Sequence, residues 1–487
     1  MTSIFELFKY RPTVSTTRPS RSTAIQISDD APLKIETGIG RVSLSDTHSG
    51  SNLDSTSVSN NVRKLSTNAT LAILDQGVVS ATSFFTMLTV SRACGAESLA
   101  YFSLGMTFFL VSTSLQLAFV APYTLLIRSS SITDKKAFAG SAFLGSIFSA
   151  LSAMIITALL YPAFLFSGVV PGFEKLIVVV LLFSPFSILR DFARKVSFAN
   201  MMMSTALRLD IAVAILQVAA LSILSQQGLL TPANGLVVVG CACALPACYW
   251  IASNRTQFRL HFESVTGHLK TMWRLGKWIL LENFLAIAGA YAVHWMLILM
   301  LDPESTGLFA ACFLIVNLSS PFLQGMGNII APSFAAVSES PKLLHRRYSQ
   351  TTLLILLPMI LFVVSCYLFG EFGISLVIKE TSNLGLGMIV ALLAFRAMIG
   401  VISITTHHAL IALQAPEGSF WCTLCGLGTV IGVGIFLIPK HGIYGGVLAM
   451  IAGTTVEASA IFIWYLIVQN ERSRESRETK TNPPNRF

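Results

Sequence analysis

Charge is scarce in this chain. Only 12% of its 487 residues are Asp, Glu, Lys or Arg, whereas 53% are hydrophobic and the mean hydropathy is +0.69. Soluble domains carry about 25% charged residues, so roughly half of the usual charge is missing. The composition therefore excludes a soluble globular protein, a disordered protein, a collagen and a small disulfide scaffold.

Signatures of catalysis are also lacking. The sequence has no GxxxxGK[ST] string, and it shows neither a Ser/His/Asp arrangement nor a metal-ligand cluster. Its loops are short, whereas an enzyme acting on lipid-linked sugars would place its catalytic groups in a large extramembrane loop. We therefore predict a protein that is not an enzyme and that has no cofactor or metal site.

Residues 1–66 lack the apolar core of a signal peptide, so we expect the first apolar run to direct membrane insertion.

Long apolar runs make up most of the remaining sequence. A membrane-spanning helix needs about 20 mostly apolar residues. Twelve runs of this kind follow one another, at residues 69–90, 99–121, 138–161, 175–190, 207–226, 233–252, 278–301, 308–331, 351–371, 384–404, 418–438 and 442–468. We predict an all-α polytopic membrane protein with about 12 transmembrane helices.

Membrane topology accounts for the net charge of +9. If the N-terminal tail is cytoplasmic, 28 of the 33 Lys and Arg residues fall in cytoplasmic segments and four fall outside. This asymmetry follows the positive-inside rule. A nucleic-acid-binding surface would instead gather these charges on one face with interleaved aromatic residues. We predict a multi-pass plasma (inner) membrane protein with both termini in the cytoplasm and no nucleic-acid partner.

The two halves of the chain resemble each other at an offset of 207 residues. The offset aligns Leu74-Asp75-Gln76 with Leu281-Glu282-Asn283, and it aligns Phe102 with Phe309. Six spans in each half give both halves the same orientation, and some transporters enclose their substrate site between such parallel repeats. We predict a disordered cytoplasmic tail (1–66), an N-terminal six-helix bundle (67–252), a basic cytoplasmic linker (253–277), a C-terminal six-helix bundle (278–468) and a cytoplasmic tail (469–487).

Several spans contain acidic residues, which are costly at the centre of a bilayer. Asp75 shares one stripe of the first span with Thr82 and Thr86, and a polar face of this kind lines water or a polar site. Two interpretations stay open: the acids bind neighbouring helices and fix their packing, or they line a cavity and bind a coupling cation. The candidates for cavity lining and coupling are Asp75, Gln76, Glu282, Asn283 and Glu457.

Arg396 is the most deeply placed cation, well inside the tenth span. A guanidinium binds phosphate in two-point fashion and keeps its charge. It therefore predicts either an anionic ligand or a fixed pair with one of the acids Asp75, Glu282 and Glu457. Arginines expected at the cytoplasmic ends of spans are explained by topology or by an anionic headgroup; these are Arg128, Arg190 and Arg194. Three histidines are expected to be packing or interface residues: His294, His407 and His408.

The residues around the first turn form a pattern. Leu74-Asp75-Gln76-Gly77 opens a polar first span, Arg92-Ala-Cys-Gly95 forms an Arg-x-x-Gly turn, and Tyr101-Phe102 lies at the start of the second span. This pattern resembles the start of bacterial polysaccharide flippases, the oligosaccharide branch of the multidrug/oligosaccharidyl-lipid/polysaccharide exporter superfamily. The chain departs from it at Ala100, where Gly is usual, although the second repeat keeps Gly307-Leu308-Phe309.

The resemblance implies two six-helix bundles around a cavity that alternates between inward-open and outward-open forms. The implied cargo is a polyprenyl-pyrophosphate-linked oligosaccharide, moved from the cytoplasmic to the outer leaflet for O-antigen- or exopolysaccharide-type assembly. The implied partners are membrane lipids, H⁺ or Na⁺, and a polysaccharide polymerase or glycosyltransferase. The resemblance also implies a cationic residue for the pyrophosphate, at Arg396, and an acidic residue for ion coupling, at Asp75.

Three other classes of protein share some of these sequence features. A multidrug-type cation antiporter would share the fold but have an acidic, aromatic cavity, so Arg396 counts against it. A major-facilitator transporter is disfavoured because the loop after the second span, Arg128-Ser-Ser-Ser-Ile-Thr-Asp134, does not match the Gly-x-x-x-Asp-Arg pattern of that family. A non-transporting membrane scaffold is disfavoured by the polar stripe and the duplication.

Overall fold

The fold is taken from a computed structural model of the chain. It describes residues 55–127, 132–167, 172–335, 337–338, 340–378, 385–413, 415 and 417–481. Most of the predicted N-terminal tail, residues 1–54, lies outside the described residues, and so does Arg128.

The described residues form twelve α-helices, with short 3₁₀ turns at Arg255–Gln257 and Asn317–Ser319. The helices of the first half are α1 (Ser55–Leu115), α2 (Leu117–Leu126), α3 (Lys135–Ser167), α4 (Phe173–Ala199), α5 (Met203–Gln226) and α6 (Pro232–Ser253). Those of the second half are α7 (Phe262–Met300), α8 (Pro303–Val316), α9 (Ser320–Ala335), α10 (Pro341–Val377), α11 (Leu386–Ala412) and α12 (Glu417–Thr481). We call α1–α6 the first bundle and α7–α12 the second bundle.

Two of the helices are too long for a single span. As a straight rod, the 61 residues of α1 would extend about 90 Å, three times the thickness of a bilayer core. Gly95 breaks α1 with φ 84° and ψ 179°, and Gly442 breaks the 65-residue α12 with φ 56° and ψ −133°. A positive φ of this kind favours glycine because it has no Cβ. Within the described residues ten helices are long and apolar enough to cross a membrane, and these two breaks divide them into twelve apolar segments.

The second span of each bundle is interrupted near its middle. In the first bundle, α1 ends at Leu115 and α2 begins at Leu117. In the second bundle, the 3₁₀ turn at Asn317–Ser319 separates α8 from α9. The interruption therefore recurs in both halves, as the sequence repeat predicts. The fold is the predicted one: all-helical, with two repeated bundles.

Several helices extend beyond the predicted spans, and three of them change the predicted organisation. The fourth span was predicted to end at residue 190, but α4 continues to Ala199, so Arg190 and Arg194 lie inside this helix and not at its end. The helix continues past these charges because acidic residues of other helices neutralise them. Helix α7 begins at Phe262 and thus includes much of the predicted linker. Helix α1 begins at Ser55, within the predicted tail.

The start of α3 holds the predicted linker. Asp134 precedes this helix, and its Oδ1 accepts a hydrogen bond of 3.0 Å from the backbone N–H of Ala137. That hydrogen bond, with Arg259 nearby, lowers the pKa of the Asp134 carboxyl, because both favour its charged form. The backbone N–H of Arg259 also donates to the carbonyl of Lys136 at 3.1 Å. The linker is therefore fixed to the first bundle at this end.

The bundles share parts of their hydrophobic cores. Leu99 of α1 is fully buried in a cluster formed mainly by second-bundle residues, among them Leu297 and Phe309. In return, Ile298 of α7 packs into a cluster of the first bundle that contains Phe102. The contact between the bundles is therefore made by interlocking apolar side chains.

Large apolar side chains also cover the outside of the helices. Leu159, Leu357 and Phe166 expose 73%, 70% and 84% of their surface. Soluble proteins rarely expose so much contiguous apolar surface, whereas the lipid-facing side of a membrane helix is apolar. The chain is a multi-pass membrane protein.

Candidate functional site

A charged cluster lies inside the first bundle, where α1 meets α4. Asp75 is fully buried, and both its helix and its polar stripe face into the bundle. Arg194 donates two hydrogen bonds to Oδ2 of Asp75, at 2.6 Å from Nη2 and 3.1 Å from Nε. The second oxygen of Asp75, Oδ1, has no hydrogen-bond partner within the described part of the chain. It can therefore accept one further donor.

A second acid completes this cluster. Asp210 of α5 is 2% exposed, and its Oδ2 lies 2.8 Å from Nε of Arg194. Its Oδ1 accepts a 2.5 Å hydrogen bond from Nη2 of Arg190. We call Asp75, Arg190, Arg194 and Asp210 the first-bundle cluster. Two carboxyl groups and two guanidiniums lie in contact here, so the positive charges of the arginines are compensated inside the membrane.

Further hydrogen bonds join α1 and α4 to the rest of the first bundle. The buried Gln217 of α5 donates to Thr86 at 2.6 Å, so Thr86, a member of the predicted polar stripe, faces a neighbouring helix. The fully buried Gln116 donates to Asp191 at 2.7 Å. Within the described residues, Asp75 and Thr86 of the polar stripe therefore each bind a side chain of a neighbouring helix of the first bundle.

A related group lies in the second bundle, where α7 meets α11. Oε1 of Glu282 lies 3.1 Å from Nδ1 of His407. The same nitrogen lies 3.1 Å from the hydroxyl of the buried Ser419 of α12. We call Glu282, His407 and Ser419 the second-bundle group. His407, expected to be a packing or interface residue, thus contacts an acid of one neighbouring helix and a hydroxyl of another.

The two groups occupy corresponding places in the repeat. Asp75 and Glu282 align at the offset of 207, and each binds a basic side chain of the fourth helical span of its own bundle. The third partner comes from the fifth span in both cases: Asp210 in the first bundle and Ser419 in the second. The charges differ, because the first bundle uses a permanently charged guanidinium and the second uses an imidazole.

Arg396 lies in α11, and it is not paired with an acid. Its Nε donates to the hydroxyl of Thr454 at 3.1 Å. Within the described residues no carboxylate oxygen lies within 4 Å of it, although Glu457 is close enough to interact with it electrostatically. Glu457 itself accepts a hydrogen bond of 3.1 Å from Thr423. The fixed ion pair that the sequence offered as one explanation of Arg396 is therefore not formed.

The amides next to the two acids cross from one bundle to the other. Gln76 donates from Nε2 to Oε1 of Gln324 in α9 at 2.8 Å. Asn283 of α7 donates to the hydroxyl of Ser114 in α1 at 2.7 Å. Each acid thus binds within its own bundle, while the neighbouring amide binds the opposite bundle.

The structure brings four predicted residues into the two groups: Asp75, Arg190 and Arg194 in the first, and Glu282 in the second. It adds three further residues to these groups. The sequence placed Arg190 and Arg194 at the end of a span, whereas both bind Asp210, which the sequence analysis missed. A signal for Asp210 existed, since it is an acid a few residues inside a predicted span. His407 and Ser419 were also missed. No group of three or more His, Cys, Asp or Glu side chains able to hold a metal ion is found among the described residues.

Comparisons with known proteins identify the fold. No family profile matches the sequence, and no curated protein matches it. Its structure resembles the inward-facing conformation of a multidrug resistance MATE family transporter of the MOP superfamily, with a TM-score of 0.69 and 15% identity over 83% of this chain and 99% of that one. The outward-facing conformation of such a transporter gives a TM-score of 0.64 at 13% identity, over 83% of this chain and 95% of that one.

A third solved structure has the same fold. It is a MOP superfamily transporter from Pyrococcus furiosus, described by the reverse polarity of its binding pocket, with a TM-score of 0.64 and 12% identity over 83% of this chain and 95% of that one. The chain therefore has the fold of the MATE transporters of the MOP superfamily. This is the superfamily whose fold the first-turn pattern predicts.

Proposed function

We propose that this protein is an alternating-access transporter that moves a polyprenyl-pyrophosphate-linked oligosaccharide from the cytoplasmic to the outer leaflet of the plasma (inner) membrane. Both termini lie in the cytoplasm in this proposal, as the distribution of Lys and Arg indicates. The observation that carries it is the unpaired guanidinium of Arg396.

Arg396 is partly buried inside a membrane span, where a cation needs an anionic partner because removing a charge from water is costly. Arg396 has a single hydrogen bond to Thr454 among the described residues, which leaves most of its five N–H donors available. A pyrophosphate presents several oxygens in the geometry that a guanidinium binds at two points. Arg396 is therefore the residue to which we assign the headgroup.

Arg190 and Arg194 contribute in a different way. Both already bind Asp210, and Arg194 also binds Asp75. An anionic headgroup would reach them only by displacing one of these carboxylates. Their first role in this proposal is to hold α1, α4 and α5 together, and a headgroup contact is a second role that requires an exchange of partners.

The membrane potential favours outward movement of an anionic headgroup. A potential of 100 mV, negative inside, contributes about 2.3 kcal/mol for each elementary charge that is moved. A coupling ion would add to this, and the acids available for H⁺ or Na⁺ are Asp75, Glu282 and Glu457. Of these, Asp75 and Glu282 each bind a basic side chain of their own bundle.

A multidrug-type cation antiporter is the second candidate. Glu282 and Glu457 lie in the same bundle and interact electrostatically, and a pair of acids is suited to binding a cationic drug. Structures of this fold include multidrug resistance transporters. The two functions differ in the residue on which they depend: Arg396 for the anionic lipid and the two glutamates for a cationic drug.

The experiment is a comparison of cells that lack the gene with cells that carry it as wild type, Arg396→Gln or Arg396→Lys at matched expression. A flippase requires that polyprenyl-pyrophosphate glycan accumulates in the null strain and that wild type removes it. Arg396→Gln should fail to do so, while Arg396→Lys, which keeps the charge, should retain part of the activity. Sensitivity to cationic drugs without glycan accumulation would support the antiporter instead.

A further inference from the structure

The side chain of Gln76 joins two different kinds of contact. Its Oε1 accepts a hydrogen bond of 3.2 Å from Nη2 of Arg194, within the first bundle. Its Nε2 donates to Gln324 of the second bundle at 2.8 Å. One amide therefore binds the charged cluster at one end and the opposite bundle at the other.

The nitrogen of Arg194 that binds Gln76 also binds Asp75, at 2.6 Å. The amide of Gln76 is rigid and planar, so its oxygen and nitrogen cannot move independently. When Arg194 holds the oxygen, the nitrogen is directed at Gln324. If Arg194 turns towards another anion, the amide loses the partner that orients it.

The repeat supplies a matched case without this link. Asn283 corresponds to Gln76, and it likewise binds the other bundle, through the hydroxyl of Ser114 at 2.7 Å. The basic partner of its neighbouring acid is His407, which binds Glu282 and Ser419. No hydrogen bond between His407 and Asn283 is present among the described residues. The amide of the second bundle thus crosses between bundles without contacting a charged partner of the acid.

We propose that Gln76 is a coupling residue, which transmits the state of the Arg194 guanidinium to the contact between the two bundles. This inference rests on the proposed transport function, because it assigns the step by which an anion bound in one bundle loosens that bundle from the other. An anion at Arg194 takes N–H donors from Asp75 and Gln76, the amide reorients, and the hydrogen bond to Gln324 is lost. The α1–α9 contact then opens.

Crosslinking across this contact can measure the effect. Ile73 and Phe322 line the same small cavity of about 210 Å³ beside Gln76, one on each bundle. Cysteines at these two positions, in a background without reactive native cysteines, should react with a short bifunctional maleimide in the full-length protein in nanodiscs. The rate of crosslinking then reports how often the two helices are in contact.

We expect Gln76→Leu and Arg194→Gln each to lower this rate about threefold. This factor corresponds to about 0.6 kcal/mol, the average contribution of one hydrogen bond between membrane helices. The double variant should show no further decrease, because both changes break the same link. Asn283→Leu is the matched comparison: it removes the corresponding bond, which has no link to Arg194, so Arg194→Gln should still lower the rate about threefold in that background. If Arg194→Gln does not insert, Arg194→Lys serves instead, since its single ammonium does not reproduce the guanidinium fork.

Independent effects of Gln76 and Arg194 would overturn the inference, and so would a rate that neither variant changes. The probe for the transport function is separate. Undecaprenyl pyrophosphate in the nanodisc, or inorganic pyrophosphate alone, should lower the rate in wild type but not in Gln76→Leu. If neither probe binds while the variants behave as expected, the proposed substrate is wrong and the coupling link stands. If pyrophosphate binds and lowers the crosslinking rate equally in wild type and in Gln76→Leu, the coupling between Arg194 and Gln76 is wrong.

Discussion

Arg194 and Asp75 lie on different helices, and two nitrogens of the guanidinium converge on one oxygen of the carboxylate, at 2.6 and 3.1 Å. Asp75 is fully buried, and the arginine is 19% exposed. Asp210 shares the same arginine, so one cation holds an acid of α1 and an acid of α5. This arrangement explains why a span with an acid near its end is stable in the membrane.

Asp75→Asn should destabilise the protein. The substitution leaves the positive charge of Arg194 only partly compensated, and breaking a buried ion pair costs about 3–5 kcal/mol. Arg194→Gln should have a similar effect, while the double variant should lose much less than the sum of the two. The free energy of unfolding can be measured by SDS titration of the purified protein in mixed micelles. Additive losses would show that the two residues do not act as a pair.

Arg396→Gln should behave in the opposite way. Since Arg396 has no ion pair among the described residues, its removal should change the free energy of unfolding by less than about 1 kcal/mol. Flipping of the lipid-linked oligosaccharide should fall at least about tenfold, because a charged hydrogen bond to a headgroup contributes about 1.5–3 kcal/mol. Arg190→Gln is the matched control for an arginine that is held in a salt bridge, and it should lose stability. A destabilised Arg396→Gln with unchanged specific activity would contradict this assignment.

His407→Ala should destabilise the second bundle. The substitution removes the imidazole that lies 3.1 Å from Oε1 of Glu282, and leaving a partly buried polar group without its partner costs about 1–3 kcal/mol. Glu282→Gln should have a similar effect, and the double variant should lose less than the sum of the two, because both changes break one contact.

The free energy of unfolding, measured by SDS titration in mixed micelles, checks this. His268→Ala is the matched control, because the ring of His268 bonds to Ser141, 3.0 Å away in the first bundle. Its loss of stability should add to that of Glu282→Gln. Additive losses for His407→Ala and Glu282→Gln would show that these two residues do not act as a pair.

Gly95→Ala should destabilise the first bundle. The φ of 84° and ψ of 179° at Gly95 belong to a region that only glycine occupies readily, so a Cβ there costs about 1–3 kcal/mol. Gly428→Ala is the matched control in α12: a Cβ at Gly428 meets no atom within 4 Å, and alanine is favoured over glycine in a helix by about 1 kcal/mol. Melting temperatures should therefore fall in the first variant and hold or rise in the second. Equal shifts would show that Gly95 is not required for the turn.

Apolar length and charge distribution were enough to predict the spans, because each run fills a bilayer. Two features could not be predicted in this way: where the fourth span ends, and which residues the acids bind. The fourth span was predicted too short because Arg190 and Arg194 were treated as terminating charges, and a sequence does not show that Asp75 and Asp210 neutralise them. The alignment of Asp75 with Glu282 predicted corresponding positions, but the partners on other helices depend on how the helices rotate against each other.

The histidines also show that contacts between distant residues could not be predicted from the sequence. A histidine in an apolar span is usually a packing residue, and the buried His294, which packs against Phe309 and Phe313, fits that expectation. His407, also expected to be a packing or interface residue, lies 3.1 Å from Glu282, and the sequence did not predict that partner because the two residues are far apart in the chain. Long-range contacts of this kind are set by the tertiary fold.

The central claim is that the protein carries an anionic lipid-linked oligosaccharide across the membrane. The most direct measurement places purified protein in proteoliposomes with a polyprenyl-pyrophosphate oligosaccharide whose sugar can be labelled only from outside. Wild type should make the inner-leaflet pool accessible, with faster movement when the side from which the lipid leaves is negative, and Arg396→Gln should not. Equal accessibility with wild type, with Arg396→Gln and with empty liposomes would contradict the account.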